Sequence, residues 1–247
     1  MYNANSSQIK KILSLVRDGD YAHAGEEEAI DLVFSEIPKN KNQLLLDVGC
    51  GLGGTANYLQ QQGFGKVIGI DVDLDTLLYA KNKYPDIAFY NADVINIAEI
   101  IKQPVDVIYM LNAFYAFTDQ SEALSALNKI AHKNTRLVMF DYTVPAFSSV
   151  ARKTVRTGKP INLTLVENVL LQTGWRVQKS TDLSAEYQRW YAAFVQKIVS
   201  KKAQILVASN EDVYQFVYKT YSNMLNDIES RLLGGSVIYA AVDSKYA

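Results

Sequence analysis

A glycine-rich turn between an apolar run and a helical stretch constrains this chain more than any other feature. The apolar residues 44–46 are followed by residues 47–54, which read DVGCGLGG, and residues 55–62 are predicted to form a helix. A strand that is followed by a glycine turn and then by the first turn of a helix forms a nucleotide-binding corner. Glycine lets the backbone approach a ligand, and the helix N-terminus presents free N–H groups. The sequence therefore predicts an α/β fold with a ligand site after this strand.

Two carboxylates favour one kind of nucleotide ligand over another. Asp47 lies two positions before the first glycine, where it would repel a pyrophosphate but suits a cofactor without phosphate, such as S-adenosylmethionine. Asp71 ends the next apolar run, at a distance that suits a carboxylate accepting hydrogen bonds from ribose hydroxyls. Because Gly49, Gly51 and Gly54 also match the dinucleotide pattern, a nicotinamide dehydrogenase is an alternative. We find no convincing Tyr–Lys or Cys/His pair for that chemistry.

Four motifs in order resemble those of the class I S-adenosylmethionine-dependent methyltransferases. The glycine turn is similar to motif I of that family, residues 69–71 to its acidic second-strand motif, residues 91–94 to its third-strand motif and residues 104–109 to its fourth strand. The resemblance implies a Rossmann-like, doubly wound, mostly parallel seven-stranded sheet, S-adenosylmethionine as cofactor and a small-molecule methyl acceptor. It also implies these cofactor-binding residues: Asp47, Gly49, Cys50, Gly51, Gly53, Asp71, Val72, Asp93, Val94 and Met110.

Strand and helix patterns alternate along the chain, which is typical of a parallel sheet covered on both faces. Strands are predicted at 44–48, 67–71, 87–90, 105–111, 136–141, 175–179 and 236–242, with helices between them. Two long helical stretches, about 184–208 and 210–233, lie between the last two strands, and a structureless loop of that length would be improbable. We therefore predict a single domain, 1–247, with a helical insertion at 182–234 that caps the acceptor site.

The layout of the second half is similar to the phosphoethanolamine and sarcosine/dimethylglycine N-methyltransferases. Residues 25–29, 140–142 and 182–184 carry this resemblance, which favours a nitrogen acceptor and leaves oxygen and carbon acceptors open. Helical aromatic stripes at 187–194 and 214–221 are expected to pack in the core. The predicted acceptor-binding residues are Tyr21, His23, Asn112, Tyr115 and Tyr142.

The chain departs from the phosphobase enzymes at the positions that carry their chemistry. Asn112 stands where those enzymes have Asp, and Ala116 stands where they have a catalytic His. No catalytic residue is assigned here, and we expect phosphoethanolamine not to be a substrate. His23 is open to two interpretations, as an acceptor contact or as a structural histidine. A non-catalytic cofactor-binding protein of the same fold is the alternative function.

Composition excludes several other classes of function. The net charge of −1 gives no reason to expect a nucleic-acid or anionic-membrane partner, and no apolar run has the length of a membrane span. One Cys and two His are too few for a conventional zinc site, so no metal is expected. The lone cysteine and the absence of a signal-peptide core favour a cytoplasmic protein. A basic run, Arg152, Lys153, Arg156 and Lys159, is interpreted as a surface loop.

Overall fold

The computed structural model of the chain describes residues 6–144 and 158–245, and an eight-stranded sheet forms its centre. Its strands are β1 Leu44–Val48, β2 Lys66–Asp71, β3 Ala88–Asn91, β4 Val105–Leu111, β5 Ala131–Val144, β6 Ile161–Asn162, β7 Trp175–Asp182 and β8 Gly234–Val242. They lie in the order β3-β2-β1-β4-β5-β8-β7, with the short β6 beside β5. Strands β1 to β5 are parallel, whereas β8 is antiparallel to both of its neighbours. The predicted doubly wound, mostly parallel sheet is confirmed, with β6 as an additional strand.

Helices follow most of the strands, as the alternating pattern predicts. They are α1 Ser7–Arg17, α2 Glu26–Phe34, α3 Gly54–Gln61, α4 Leu74–Lys83, α5 Ile97–Ile100, α6 Gln120–Asn128, α7 Leu163–Gln172, α8 Ser184–Ser200, α9 Lys202–Ala208 and α10 Glu211–Glu229. The basic residues Arg152, Lys153 and Arg156 lie outside the described residues, so the interpretation of that run stays a prediction.

The sheet divides the interior into two apolar cores. Successive residues of β1 point to opposite faces, so Leu45 belongs to one core and Leu46 to the other. Helices α1 to α4 and α8 to α10 contribute to the first core, and α5 to α7 contribute to the second. Because both faces are covered, the central strands β1 and β4 are apolar on both sides.

The segment between β7 and β8 is helical, but its first helical stretch is interrupted. The prediction placed one helix from 184 to about 208, whereas α8 ends at Ser200 and α9 begins at Lys202. Helix α8 packs against α10, α1 and β8. Its aromatic residues are buried, as expected from their helical spacing: Tyr187, Trp190, Tyr191 and Phe194. In the part of the chain that the structure describes, no helix combines the length and apolarity needed to cross a bilayer.

Candidate functional site

A long cleft lies at the carboxyl ends of the central strands, where open α/β sheets bind ligands. Bounded by the described residues, it has a volume of about 1580 Å³, above the roughly 300–1,000 Å³ of a site for one small ligand. One part, here called the glycine end, is lined by the turn after β1 and the residues after β2 and β3. The other part, the tyrosine end, is lined by the residues after β4 and β5 and by α10. The cleft therefore has room for two ligands side by side.

The turn after β1 lies where only glycines fit. Gly49 has a φ of 77°, and a Cβ there would lie 2.6 Å from Cβ of Ala113. A Cβ on Gly54 would lie 2.6 Å from the backbone oxygen of Asp20, so the segment before α2 rests on the start of α3. The N–H groups of Gly49 and Cys50 both donate to the Ile70 carbonyl at 2.9 Å, which anchors the turn to β2.

Asp71 faces the glycine end from the last position of β2. Its Oδ2 accepts the N–H of Gly51 at 2.9 Å, and its Oδ1 accepts the N–H of Asp73 at 2.9 Å. Lys10 Nζ from α1 lies 3.6 Å from Oδ2. The N-cap of α4 is Asp73, whose side chain accepts from Thr76 N at 3.2 Å. Asp73, and not Asp71, therefore caps helix α4, and the carboxylate of Asp71 lines the cleft.

Asp47 lies beneath the glycine turn rather than on the cleft wall. It pairs in register with Tyr109 of β4 and is buried. Burial raises the pKa of this carboxyl to about 8, an effect that the Tyr109 hydroxyl partly offsets and the charge of Asp71 reinforces. The Asp47 Oδ2 and the hydroxyl of Tyr109 are both buried without a well-directed hydrogen-bond partner among the described residues. Asp47 is therefore a buried acid that a nearby cation would ionise.

The structure separates the predicted cofactor residues into two groups. Asp93 caps the short 3₁₀ turn Val94–Asn96 through a bond from Ile95 N to its Oδ1 at 3.2 Å. Met110 is buried inside β4, so its side chain packs in the core instead of reaching the cleft. The residues on the cleft wall are Gly49, Gly51, Asp71, Val72, Asp93 and Val94. The residues behind it are Asp47, Cys50, Gly53 and Met110.

The tyrosine end begins at Asn112, directly after β4. Asn112 adopts a left-handed φ of 51°, donates its N–H to Phe140 O at 2.7 Å, and donates from Nδ2 to the Tyr187 hydroxyl at 3.2 Å. The rings of Tyr115 and Tyr142 meet edge to face with centroids 5.0 Å apart, and both line the cleft. The hydroxyls of Tyr142 and Tyr191 are hydrogen-bonded to each other. These contacts fix the floor of this end from three separate segments.

Of the two predicted residues before α2, one lines the cleft and one does not. Tyr21 lines it and donates its hydroxyl to Glu27 Oε1 at 2.8 Å. His23 is packed in the interior, with Nδ1 3.3 Å from Ala24 O and Nε2 3.2 Å from Thr55 Oγ1. Burial, together with the charge of Arg17, lowers the pKa of His23 to about 3. Of its two interpretations, this geometry matches a neutral structural histidine, so His23 is not retained as an acceptor contact.

Several cleft residues were missed by the sequence reasoning. Lys10 and Asp20 come from the chain ahead of the motifs and reach the cleft only through folding. Burial opposes ionisation of Asp20, but its bonds from Lys83, Ser14 and Tyr84 lower its pKa overall. Helix α10 supplies a whole wall, of which only Tyr221 belonged to the aromatic stripe that was assigned to the core. Its lining residues are Phe216, Lys219, Thr220, Tyr221, Asn223, Met224, Asn226 and Asp227.

The described part of the chain contains no metal-binding cluster of side chains. No group of three or more His, Cys, Asp or Glu side chains there is arranged to hold an ion. The cleft wall formed by the described residues also contains no histidine and no cysteine. Its ionisable groups are carboxylates, lysines and tyrosines.

Known proteins are similar to this chain over the strands that carry the cleft. Residues 45–134 match the family model of a methyltransferase domain. A cyclopropane mycolic acid synthase of Mycobacterium tuberculosis is 23% identical over 208 residues, which cover 75% of this chain and 72% of that protein.

Two solved structures share the fold at low sequence identity. A phosphoethanolamine N-methyltransferase 2 of Haemonchus contortus, in complex with phosphomonomethylethanolamine and S-adenosylhomocysteine, has a TM-score of 0.85 at 16% identity. That match covers 98% of this chain but only 58% of the other. A provisionally named sarcosine dimethylglycine methyltransferase of Galdieria sulphuraria has a TM-score of 0.84 at 12% identity and covers 98% and 99% of the two chains.

Proposed function

We propose that this chain is an S-adenosylmethionine-dependent methyltransferase that binds the cofactor at the glycine end and methylates a small molecule at the tyrosine end, because residues 45–134 match a methyltransferase domain and the fold is shared with the methyltransferases compared above. The observation that carries the proposal is the common wall formed by Gly49, Gly51, Asp71 and Asp93 at the ends of three parallel strands. The insertion between β7 and β8 would then cap the acceptor through α10.

Each part of the cofactor would meet a suitable group on this wall. Asp71 would accept the ribose hydroxyls, since it lines the cleft and each of its oxygens, which already accepts one backbone N–H, can accept a further hydrogen bond. Val72, Asp93 and Val94 would hold the adenine edge. The amino acid part would lie over Gly49 and Gly51, above the buried carboxyl of Asp47. Asp47 would stabilise a cationic ligand from below without touching it.

The charge of the cleft supports a nitrogen acceptor. Methyl transfer moves positive charge from sulfur to the accepting atom, so a negative site with aromatic faces stabilises the product. The tyrosine rings at 115, 142 and 221 supply such faces. Among the described residues that line the tyrosine end, three carboxylates, Asp119, Glu122 and Asp227, outnumber the single lysine, Lys219.

The acceptor nitrogen should arrive without a proton. Ala116 lines the cleft where the phosphobase enzymes carry their catalytic histidine, and His23 is sequestered in the interior. General-base assistance is typically worth about 10²–10⁴-fold, so a protonated amine would react slowly here. A neutral nitrogen needs only to be held in line with the S–CH₃ bond. On this argument phosphoethanolamine is a poor substrate.

Calorimetry and a methyl-transfer assay together test the proposal. We expect S-adenosylmethionine and S-adenosylhomocysteine to bind and NAD not to bind. In the assay, phosphoethanolamine, glycine, sarcosine and dimethylglycine are compared with heteroaromatics whose nitrogen is neutral near pH 7. Binding of NAD without binding of S-adenosylhomocysteine would overturn the cofactor assignment. Efficient turnover of phosphoethanolamine at neutral pH would overturn the argument from the missing base.

A carbon acceptor is the second candidate, because much of the tyrosine end is apolar. Phe117, Phe216, Met224 and Leu233 line it beside the tyrosines, and a cyclopropane mycolic acid synthase is among the sequence relatives. A product made with a ¹³C-labelled methyl group separates the candidates, since N-methyl and C-methyl carbons resonate in different regions of the NMR spectrum. Labelled cofactor that is bound but never consumed by any acceptor would instead favour the non-catalytic alternative.

A further inference from the structure

A buried carboxylate lies under the tyrosine end and is not used by the reaction proposed above. Asp141, near the end of β5, has no exposed surface. Its Oδ2 accepts the N–H of Tyr115 at 3.0 Å, and its Oδ1 accepts the N–H of Tyr142 at 2.7 Å. The two donors come from different segments, one after β4 and one in β5. One carboxylate thus ties together the two backbone positions that present acceptor-facing rings.

The turn that carries Tyr115 is held from both sides. Below it, the N–H of Tyr115 bonds to Asp141. Above it, the carbonyl of Tyr115 accepts the N–H of Lys159 at 2.7 Å. A Cβ on Gly158 would lie 2.4 Å from this carbonyl, so a glycine is required there. Asp141 therefore helps to fix the backbone from which the Tyr115 ring extends into the cleft.

We propose that Asp141 is a positioning residue of the acceptor site, whose ionised carboxylate holds Tyr115 and Tyr142 in the arrangement that receives the acceptor. The inference rests on the proposed function, because it takes the tyrosine end to be the acceptor site. Asp141 itself touches neither ligand. Its effect reaches the acceptor through the two backbone N–H groups and the rings that follow from them.

The chemistry of the carboxyl group makes this support sensitive to its charge. An ionised carboxylate is an acceptor only and suits two converging N–H donors, whereas a protonated carboxyl turns one oxygen into a donor. Burial raises the pKa of Asp141 to about 7, although bonds from the backbone N–H groups of Tyr142, Tyr115 and Phe114 and from the Asn112 side chain favour ionisation. The support should therefore weaken as the pH falls below neutral.

The groups around Asp141 do not provide a competing titration. Tyr187 of α8 faces it, and burial with the Asp141 charge raises the pKa of that phenol well above its usual value. Burial likewise raises the pKa of Tyr142 far above neutral. Tyr115, after β4, is also a phenol. Ser236, which pairs with Asp141 from β8, and Asn112 carry no titratable group in this range. A transition near pH 7 at this place therefore reports on Asp141.

NMR of the two amide groups tests the proposal without any acceptor. The protein is labelled with ¹⁵N-tyrosine, saturated with S-adenosylhomocysteine and titrated from pH 5.5 to 8.5. The signals of Tyr115 and Tyr142 are assigned by Tyr115→Phe and Tyr142→Phe. We expect both amide protons to shift together with one midpoint, and to lose this titration in Asp141→Asn. Amides that keep titrating in Asp141→Asn, or that do not titrate in the wild-type protein, would overturn the proposal.

Asp243 provides the matched control. It is also a buried carboxylate, and its Oδ1 accepts the N–H of Lys245 at 3.3 Å, but it lies outside the cleft. Asp243→Asn should leave the Tyr115 and Tyr142 titration unchanged. Titration lost equally in both variants would indicate a general loss of structure and refute a specific role. The wild-type titration does not depend on whether a variant folds, so it decides the matter if Asp141→Asn is unstable.

Kinetics provide the second measurement, with whichever acceptor of the panel above is turned over fastest. Asp141→Asn should raise the KM for that acceptor by roughly tenfold to a hundredfold, the usual effect of losing a hydrogen bond to a charged group. The dissociation constant of S-adenosylhomocysteine should stay within about twofold. A parallel loss of cofactor affinity would overturn the proposal. A failure of the proposed function would instead appear as no cofactor binding in the wild-type protein, while the amide titration could still be measured.

Discussion

The two ends of the cleft are built on different principles. At the glycine end, the main contacts join backbone groups to one side chain a short way along the chain, as between Gly51 and Asp71, 20 residues apart. At the tyrosine end, side chains meet side chains across the fold: Asn112 and Tyr187 are 75 residues apart, and Tyr142 and Tyr191 are 49 apart. The first end is a property of a local motif, whereas the second is completed only once the inserted helices are in place.

The residues that open the two ends show the same contrast. Gly49 and Asn112 each follow a parallel strand and each adopt a left-handed conformation. Gly49 is needed because a side chain would collide with Ala113. Asn112 tolerates the conformation, as asparagine often does, and uses its side chain to bond Tyr187. A backbone site thus requires the absence of side chains, and a side-chain site requires particular ones.

The largest difference between the two ends is expected for a substitution of Asp71. Asp71→Asn should weaken S-adenosylhomocysteine binding about 10–150-fold, or about 1.5–3 kcal/mol, because hydrogen bonds to a charged group are lost. Calorimetry measures this. The matched control is Asp73→Asn, because asparagine is an equally good helix N-cap and the affinity should change less than about twofold. Equal losses in both variants would show that neutralising Lys10, and not ribose recognition, controls affinity.

The pH dependence of cofactor binding sharpens the comparison, since it reports on the buried carboxyl of Asp47 beneath the glycine end. With a pKa of about 8, Asp47 is mostly protonated in the free protein at pH 7. A cationic cofactor favours the ionised form of Asp47, so binding should release a proton. The affinity should therefore rise with pH, by up to about tenfold per unit, until pH 8 is reached. Calorimetry at pH 6, 7 and 8 in buffers of different ionisation enthalpy measures both effects. Asp47→Asn should abolish them.

The same pKa fixes the sign of a stability effect in the free protein. The unfolded chain releases the Asp47 proton near its ordinary pKa of 3.8, whereas the folded protein keeps it until about 8. Between these values the unfolded state binds fewer protons, so this group lowers the free energy of unfolding as the pH rises. Asp47→Asn should flatten that part of the profile in chemical denaturation. A profile that is identical in both proteins contradicts the assignment.

Gly49 tests whether the glycine end depends on backbone shape alone. Gly49→Ala should cost about 1–2 kcal/mol in the free energy of unfolding, because alanine is strained at this positive φ. The collision with Ala113 should also shift the turn and weaken S-adenosylhomocysteine binding about tenfold, or about 1.4 kcal/mol. Gly63→Ala is the control, since its φ is 81° but its Cβ would meet only Lys41 Cε at 3.8 Å. That variant should lose stability and keep its affinity.

The smallest effect is expected for Tyr142→Phe at the tyrosine end, because this variant removes only one of the several contacts that hold the ring. Tyr142→Phe removes the hydroxyl that bonds to Tyr191, a hydrogen bond that contributes about 0.5–1.5 kcal/mol of free energy. The acceptor KM should rise roughly 2–10-fold, while the S-adenosylhomocysteine affinity is unchanged. Tyr239→Phe removes a hydroxyl that bonds to Val33 O at 2.8 Å far from the cleft, and should leave KM unchanged. A matching change in both variants would mean that general stability, and not acceptor contact, sets KM.

The sequence predicted the sheet well because its signals are local. Each strand is a short apolar run, and each is followed by a helix or a turn with its own chemistry. The prediction was weaker where contacts decide the outcome. Strand β5 begins at Ala131 instead of 136, because pairing with β4 extends it, and the first long helical stretch is interrupted at Lys201.

Side chains one or two residues from a motif proved harder to place than the motif itself. Tyr21 and His23 are nearly adjacent, yet one lines the cleft and the other bonds to Thr55 in the interior. Met110 lies in the strand that leads to Asn112, but its side chain points into the second core. Met110 lies within β4, whereas Asn112 lies beyond its last residue, so the position relative to the strand end decides between core and cleft.

The sequence by itself determined the glycine end, since glycines and a strand-terminal carboxylate specify a backbone shape wherever they occur. At the tyrosine end the sequence predicted Asn112, Tyr115 and Tyr142, and only the tertiary structure decided which helices meet them. Helical spacing marks Tyr187, Tyr191 and Tyr221 as buried but cannot say against what. In the fold, Tyr187 and Tyr191 pack behind the cleft while Tyr221 lines it, and Lys10 reaches Asp71 from the first helix. The reason is physical: burial is encoded by the pattern along one helix, whereas the identity of the neighbour depends on how distant segments pack together.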